Sequence, residues 1–445
     1  MTHASKRWAT LVVALGLVAA CTGAATPSPL PVPTAPPVTV PPVTVPPVTV
    51  PPVTIPPVTA PPVTEQPAAT PAATQAPSET PAATPAPSEP AASGGPTAYP
   101  SGAAGLKIGV VTDVGTVDDK NFNQFSYEGA VAGATDIGAV APKVVVPGSS
   151  NDYATDINAY VSQGFNIIVT VGFNLTNDTI KAAKANPNIW FVGVDQAPLC
   201  ITATGDPDTA ATPTCAGDPA KLLPNFIAIK YEEDQVGYLA GIVAASVSKT
   251  GKVGAIGGIN LVPAVVRYLQ GYVLGAQSVN PNITVDIGYV TTSDFVKAFN
   301  DPATGKTYAT QFIQQKGDDV MFQVAGKTGN GVLQAACAAK IVGIGVDVDQ
   351  YLSLSAATDP IYSCILVSAE KHLSASVESS IQQIAAGAAK GGNVVYNAAN
   401  NGIGLSPFTP PTGIPAAAQA AITTALAAMQ ATPPLVTCPA KCGQP

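Results

Sequence analysis

The chain has 445 residues, only 11% of them charged, with a formal net charge of −8 and a pI near 4.7. So acidic a polypeptide has no basic stripe for a phosphate backbone, which excludes nucleic acid and favours a small, neutral or mildly polar partner. Its 45 prolines and 40 glycines are unevenly spread, with most prolines before residue 100, so the folding part is shorter than the length suggests.

Lys6 and Arg7 precede the apolar run "WATLVVALGLVAAC", which is short for a bilayer span but has the layout of a secretory signal over residues 1–20. Its end, "LVAAC", resembles the bacterial lipobox, in which Cys21 is diacylated and becomes the first residue of the mature chain. The alternative is an ordinary signal peptide with an incidental Cys21. Both export the chain. From 21 to 105 the composition is Pro/Thr/Ala-rich, with "PPVT" six times between Pro36 and Thr64, and it favours solvated polyproline II over any core. Fully extended at ~3.1 Å per residue, such a stalk reaches at most about 250 Å. It serves either as a tether with reach or as a spacer without a length requirement.

With Cys21 lipidated, six cysteines remain, an even number for an oxidising location. Pairing by proximity joins Cys200 to Cys215 and Cys438 to Cys442, the second pair stapling the tail at 430–445, and leaves Cys337 for Cys364, one of the 15 connectivities six cysteines allow. No metal site is expected, because His372 is the only histidine after the signal segment and no paired C-x-x-C motif occurs.

From Leu106 onward, short branched runs such as "KIGVVT", "KVVV", "NIIVTV", "IWFVGV", "FIAIK", "KVGAIG", "DVMFQV" and "IVGIGV" read as strands buried on both faces. Stretches of helical spacing, such as "EEDQVGYLAGIVAASVSK", separate them, the pattern of an α/β fold with mostly parallel sheets flanked by helices. The pattern starts afresh near Gly251, which predicts two lobes. Ligands of such sheets sit beyond the carboxyl ends of the strands. The residues there are Asp113, Gly172 with Phe173, Asp195, the segment "AGKTGNG", and Asp347. One aspartate at a strand exit is as readily a turn or helix cap as a ligand contact; the recurrence at one edge argues for a site.

"VTDVGTVDDKNFNQFSYEGA" resembles the signature of the basic membrane lipoprotein family, PnrA-like substrate-binding components of nucleoside ABC transporters. The resemblance continues in order through "YEEDQVGYLAGIVAA", "GKVGAIGG", "AFNDPATGK", "AGKTGNGV", "GVDVDQ" and "VSAEKHLSASV", over roughly residues 107–400. It implies the two-lobed type I periplasmic-binding-protein fold, with lobe 1 at about 106–230 plus return segments after about 360, and lobe 2 at about 231–360. It further implies a monomer without a cofactor, lipid-anchored on the extracytoplasmic face of the cell membrane, that hands a nucleoside, a purine above all, to an ABC permease.

Positions matching the family's ligand contacts are Asp113, Phe122, Asn123, Asp195, Phe299, Gly345, Asp347 and Lys371. The implied roles are physically coherent. Phe122 and Phe299 would sandwich a flat base, each stack contributing about 1–3 kcal/mol. Asp195 or Asn123 would read its polar edge, while Asp347 accepts from ribose hydroxyls and Lys371 donates to them. Asp113 would serve either the ribose or the base. Asp118 and Asp119 read mainly as helix-start residues. Two other classes stand beside this one: a tethered nucleoside or sugar sensor, and a nucleoside hydrolase. No G-x-S-x-G elbow or dinucleotide fingerprint accompanies the aspartates, and both "GKT" triplets lack the upstream glycine of a P-loop.

Overall fold

The computed structural model describes residues 103–409 and 413–444. The signal segment, Cys21 and nearly all of the stalk lie outside the described residues. Among those described, no helix is long and apolar enough to cross a membrane.

The branched runs become strands as their composition requires. In chain order the first lobe contains β1 (Ile108–Val111), α1 (Phe122–Asp136), β2 (Lys143–Val145), α2 (Tyr153–Ser162), β3 (Ile167–Val171), α3 (Thr176–Ala185), β4 (Trp190–Val194), α4 (Pro219–Leu222) and β5 (Phe226–Tyr231). The second contains α5 (Glu233–Val247), β6 (Lys252–Ile259), α6 (Pro263–Val279), β7 (Thr284–Thr291), α7 (Phe295–Phe299), α8 (Pro302–Lys316), β8 (Val320–Val324), α9 (Gly326–Ala338), β9 (Val342–Asp347), α10 (Gln350–Ser353) and β10 (Ile365–Lys371). The chain then returns to the first lobe with α11 (Leu373–Ala385), packed on α1, and β11 (Gly392–Tyr396), and crosses back with β12 (Ile403–Leu405) and α12 (Ala416–Gln430).

The first sheet has the order β11-β5-β4-β3-β1-β2 and is parallel throughout; the second has the order β12-β10-β9-β8-β6-β7, with only β12 antiparallel. These are two mostly parallel sheets flanked by helices. The second sheet runs on to Lys371, past the expected boundary near 360, because Ile365–Ala369 is a buried apolar run paired to β9. The chain therefore crosses between lobes at Tyr231–Glu233, at Lys371–Leu373, and between Tyr396 and Ile403. The bonded cysteines are Cys200–Cys215, Cys337–Cys364 and Cys438–Cys442.

Core side chains fix the layers. In α2, Tyr153, Ile157 and Tyr160 fall on one face and are buried against the first sheet, where a Cβ on Gly109 would meet the Tyr160 ring at 2.7 Å. In the second lobe α5 and α6 meet backbone to backbone. A Cβ at Gly241 would lie 2.2 Å from the Tyr272 carbonyl oxygen, and one at Gly275 only 1.9 Å from that of Tyr238. That close approach brings the start of α5, with Glu233, against the start of α6, with Arg267 and Tyr268.

At the opposite ends of the second-lobe strands, Asp318 is buried and neither of its oxygens receives a hydrogen bond. Burial, and then the charge of Asp286, push its pKa up to about 7. The folded state thus holds the proton, and its contribution to stability is complete below the ordinary carboxylate range and lost as pH rises through about 7. Asp318→Asn is expected to flatten the decline in melting temperature between pH 5 and pH 8 and to leave the variant the more stable protein at pH 8. An unchanged pH slope would refute this.

Candidate ligand-binding site

The carboxyl ends of both sheets face one cleft between the lobes, partly open to solvent. On the first-lobe wall, Asp113 follows β1 and accepts from the Tyr153 hydroxyl, from Val114 N at 2.7 Å and from Asn174 Nδ2 at 3.2 Å. Burial raises its pKa in spite of these donors. Its seat depends on Gly172, whose φ of +111° suits glycine and whose missing Cβ would lie 2.6 Å from that of Asp113. Asp119 is buried and accepts from the backbone N–H groups of Asn121, Asn123 and Gln124 at 2.9, 2.9 and 3.1 Å. It thereby satisfies the donors left open at the start of α1, where the N-cap Asn121 makes no side-chain bond, and α1 enters the cleft with Phe122 and Asn123 leading.

Asp195 and Asp347, at the exits of β4 and β9, both adopt left-handed backbone, with φ of 59° and 65°. Aspartate tolerates this region better than most residues, but the conformation still costs about 1–3 kcal/mol and clusters at functional sites. Strand register sets Asp347 beside Glu370, one residue before Lys371. Lys371 is 4% exposed, so it is no solvated helix-start residue. Its Nζ lies 2.6 Å from Asp195 Oδ2, 3.5 Å from Glu233 Oε1 and 3.6 Å from Asp347 Oδ1, and 5.3–5.5 Å from the ring centroids of Phe122, Tyr231 and Tyr268. Glu233 in turn accepts from Arg267 Nε at 2.6 Å.

Three carboxylates thus share two cations in a cluster whose side chains are at most 11% exposed. Burial pushes Asp195 up to about 6 although Lys371 opposes it, and burial raises Asp347 as well. Burial would raise Glu233 too, but Arg267 and Lys371 outweigh it and hold that carboxyl below its usual range. Burial favours the neutral Lys371 amine, yet Asp195, Asp347 and Glu233 outweigh it and keep the ammonium. Asp195 Oδ1 and Asn123 Oδ1 are buried and have no hydrogen-bond partner, the condition of acceptors that await a donor. Phe122, Phe299, Tyr268, Val262, Val265 and Val324 supply apolar walls. The cleft can therefore enclose a flat apolar body whose edges carry hydrogen-bond donors.

Asp113, Phe122, Asn123, Asp195, Phe299, Asp347 and Lys371 all line this cavity, the two phenyl rings coming from opposite lobes. Gly345 does not. The space beside its Cα is filled by Ser368 Oγ, 2.4 Å from where a Cβ would lie, and by Gln350, so the glycine makes room for that buried network rather than for a ligand. Asp118 is also no helix cap: it lies near Lys327 Nζ of the other lobe, at 3.8 Å. Further contacts join the lobes, from Asn330 Nδ2 to the Asp119 carbonyl at 3.3 Å and from Ser353 Oγ to that of Lys120 at 2.8 Å. Sequence reasoning missed Tyr268, which reads as one apolar position of an amphipathic helix, and the pair Glu233 and Arg267, which read as ordinary helix-start and helix-surface charges.

Residues 106–414 match the family model described as Bmp, the PnrA-like ABC transporter substrate-binding proteins. The chain belongs to this family. Among Bmp relatives, the ABC transporter nucleoside-binding protein BmpA of Lactococcus lactis is 33% identical over 314 residues, which cover 67% of this chain and 81% of the relative. The CD4+ T-cell-stimulating antigen of Listeria monocytogenes is 30% identical, with 67% and 79% covered. A solute-binding protein of an Aeropyrum pernix ABC transporter system shares the fold of this Bmp chain with a TM-score of 0.56 at 24% identity, over 72% of the chain and 85% of that structure. One from Conexibacter woesei does so at 0.55 and 23%, over 74% and 98%.

Proposed function

We propose that this Bmp-family chain captures a nucleoside, with purines preferred, between its two lobes and delivers it to an ABC permease, held at the extracytoplasmic face of the membrane by a lipid on Cys21. The observation that carries the reading is the convergence of Phe122, Phe299, Asp195, Asp347 and Lys371 on one interlobe cavity. Two rings from opposite lobes suit the faces of a heterocycle. Carboxylates held beside a buried ammonium suit the hydroxyls and exocyclic amines at its edges, with charge-assisted bonds. The relative named as a nucleoside-binding protein supports the ligand class. Closure of the lobes gives a permease a shape to distinguish from the empty protein.

Titration calorimetry of the purified chain with adenosine, guanosine and inosine, followed by chromatography of the mixture, tests this reading. Saturable heat with the nucleoside recovered intact is expected. Release of free base would make the protein a hydrolase, and the absence of heat with all three would refute the ligand class. Loss of nucleoside uptake on deletion of the gene is expected of an importer component; retained uptake would favour the tethered sensor.

A further inference from the structure

Residues 416–444 lie beyond the family match and pack on the second lobe. In α12, Ala418, Ile422, Ala425 and Met429 form the buried stripe, and the helix lies on α5. The segment after α12 then runs over the starts of α5 and α6. The Thr437 hydroxyl donates to the Asp234 carboxylate. Gln270 accepts from Gly443 N at 2.9 Å and donates to the Gln444 carbonyl at 2.7 Å. Gly443 rests on Arg267: a Cβ there would lie 3.2 Å from both Cγ and Nη1 of the arginine. The Cys438–Cys442 bridge closes the turn that brings Gly443 into place, and Cys442 itself is exposed.

Arg267 is thus covered by the tail and is 7% exposed. Beneath it Arg267 Nε donates to Glu233 Oε2 at 2.6 Å, Glu233 Oε1, which receives no hydrogen bond, lies 3.5 Å from Lys371 Nζ as an ion pair, and Lys371 lines the ligand cavity. An ion pair is strong only while water is kept from it. With the tail loosened, water screens the guanidinium, and Glu233 is left less fully neutralised. Its remaining charge would then pull the Lys371 ammonium away from Asp195 and Asp347, which line the cavity.

We propose that the disulfide-closed C-terminal segment is a positioning element for the ligand site, acting through Arg267 and Glu233 on Lys371, so that reduction of Cys438–Cys442 weakens ligand capture. The proposal rests on the nucleoside reading for its ligand but not for its mechanism. The test uses the full chain with C438S/C442S and, separately, Gln270→Ala, which removes the tail's hydrogen bonds on α6. Both are expected to weaken adenosine binding by about 3- to 30-fold, the range for coupling from residues that do not touch a ligand. Repeated on an Arg267→Met background, the same changes should alter affinity less than about 2-fold, because the link they act through is already cut. Unchanged affinity in the wild-type background, or an equal loss in both backgrounds, overturns the proposal. Should the wild-type chain bind no nucleoside, the proposed function fails and the positioning role is tested by the ¹⁵N resonance of the Lys371 ammonium in the ligand-free protein: a shift in C438S/C442S supports that role, and an unmoved resonance refutes it.

Discussion

Lys371→Met is expected to weaken nucleoside binding by about 10- to 150-fold and to lower the melting temperature at pH 7. The lysine holds Asp195 at 2.6 Å, Glu233 at 3.5 Å and Asp347 at 3.6 Å, and all four side chains are nearly buried. Removing one partner of a buried ion pair leaves the other charge uncompensated and costs about 3–5 kcal/mol. Here three carboxylates lose a shared cation, and only Glu233 keeps another, Arg267. The variant must take up protons or rearrange, and either way Asp195 and Asp347 no longer present poised acceptors. The ion-pair cost falls on folding stability, whereas the lost charge-assisted hydrogen bond to the ligand, about 1.5–3 kcal/mol, corresponds to a weakening of about 10- to 150-fold. Asp195 bridges to Lys371 from the other lobe, so an open, ligand-free form is also expected to gain population, visible as a larger radius of gyration in X-ray scattering. Binding within 10-fold of wild type would show that the cluster serves stability alone.

Phe122→Ala and Phe299→Ala are each expected to weaken purine nucleoside binding by about 5- to 150-fold, the equivalent of about 1–3 kcal/mol per stacked base face. Both rings line the cavity and both are only partly buried in the ligand-free protein, so their truncation removes contacts made mainly with a guest. The two variants should differ in what else they change. Phe122 lies 5.3 Å from Lys371 Nζ and contributes a cation–π contact to the charged cluster, so its loss should also lower thermal stability. Phe299 faces the second-lobe backbone at Gly258 and neighbours Phe295, with ring centroids 6.3 Å apart, so its loss should be felt in affinity more than in melting temperature. A pyrimidine nucleoside, with a smaller face, should lose less than a purine in both. Unchanged affinity in Phe299→Ala would remove one side of the proposed sandwich.

The parallel α/β architecture was legible because strands buried on both faces must be short, branched and unbroken, and the eight runs picked out on that ground all lie in strands. β7 escaped notice because "TVDIGYVT" mixes polar and apolar positions on a partly exposed edge, β10 because Ser368, Glu370 and Lys371 interrupt its apolar run, and β11 and β12 because short edge strands carry little signal. The strand-exit rule picked out Asp113, Asp195 and Asp347 by their recurrence at one edge, and all three line the interlobe cavity. Lys371 and the phenylalanines owed their selection to family resemblance, because a lysine at the end of "VSAEK" carries no local mark of burial. Gly345 shows the limit of that route: a glycine matching a contact position here faces Gln350 and Ser368. Glu233, Arg267 and Tyr268 were illegible for a different reason. They reach the site through the backbone contact of α5 with α6, and side chains brought together by such packing leave no spacing to read along either helix alone.

A crystal structure of the chain with adenosine bound is the most direct test of the central claim, that the interlobe cavity is a nucleoside site. The base is expected between Phe122 and Phe299, a donor of the ligand on the unpartnered Asp195 Oδ1 or on Asn123 Oδ1, and ribose hydroxyls within hydrogen-bond distance of Asp347 and Lys371. Adenosine bound elsewhere, or a cavity whose rings close on each other with the nucleoside excluded, would contradict it.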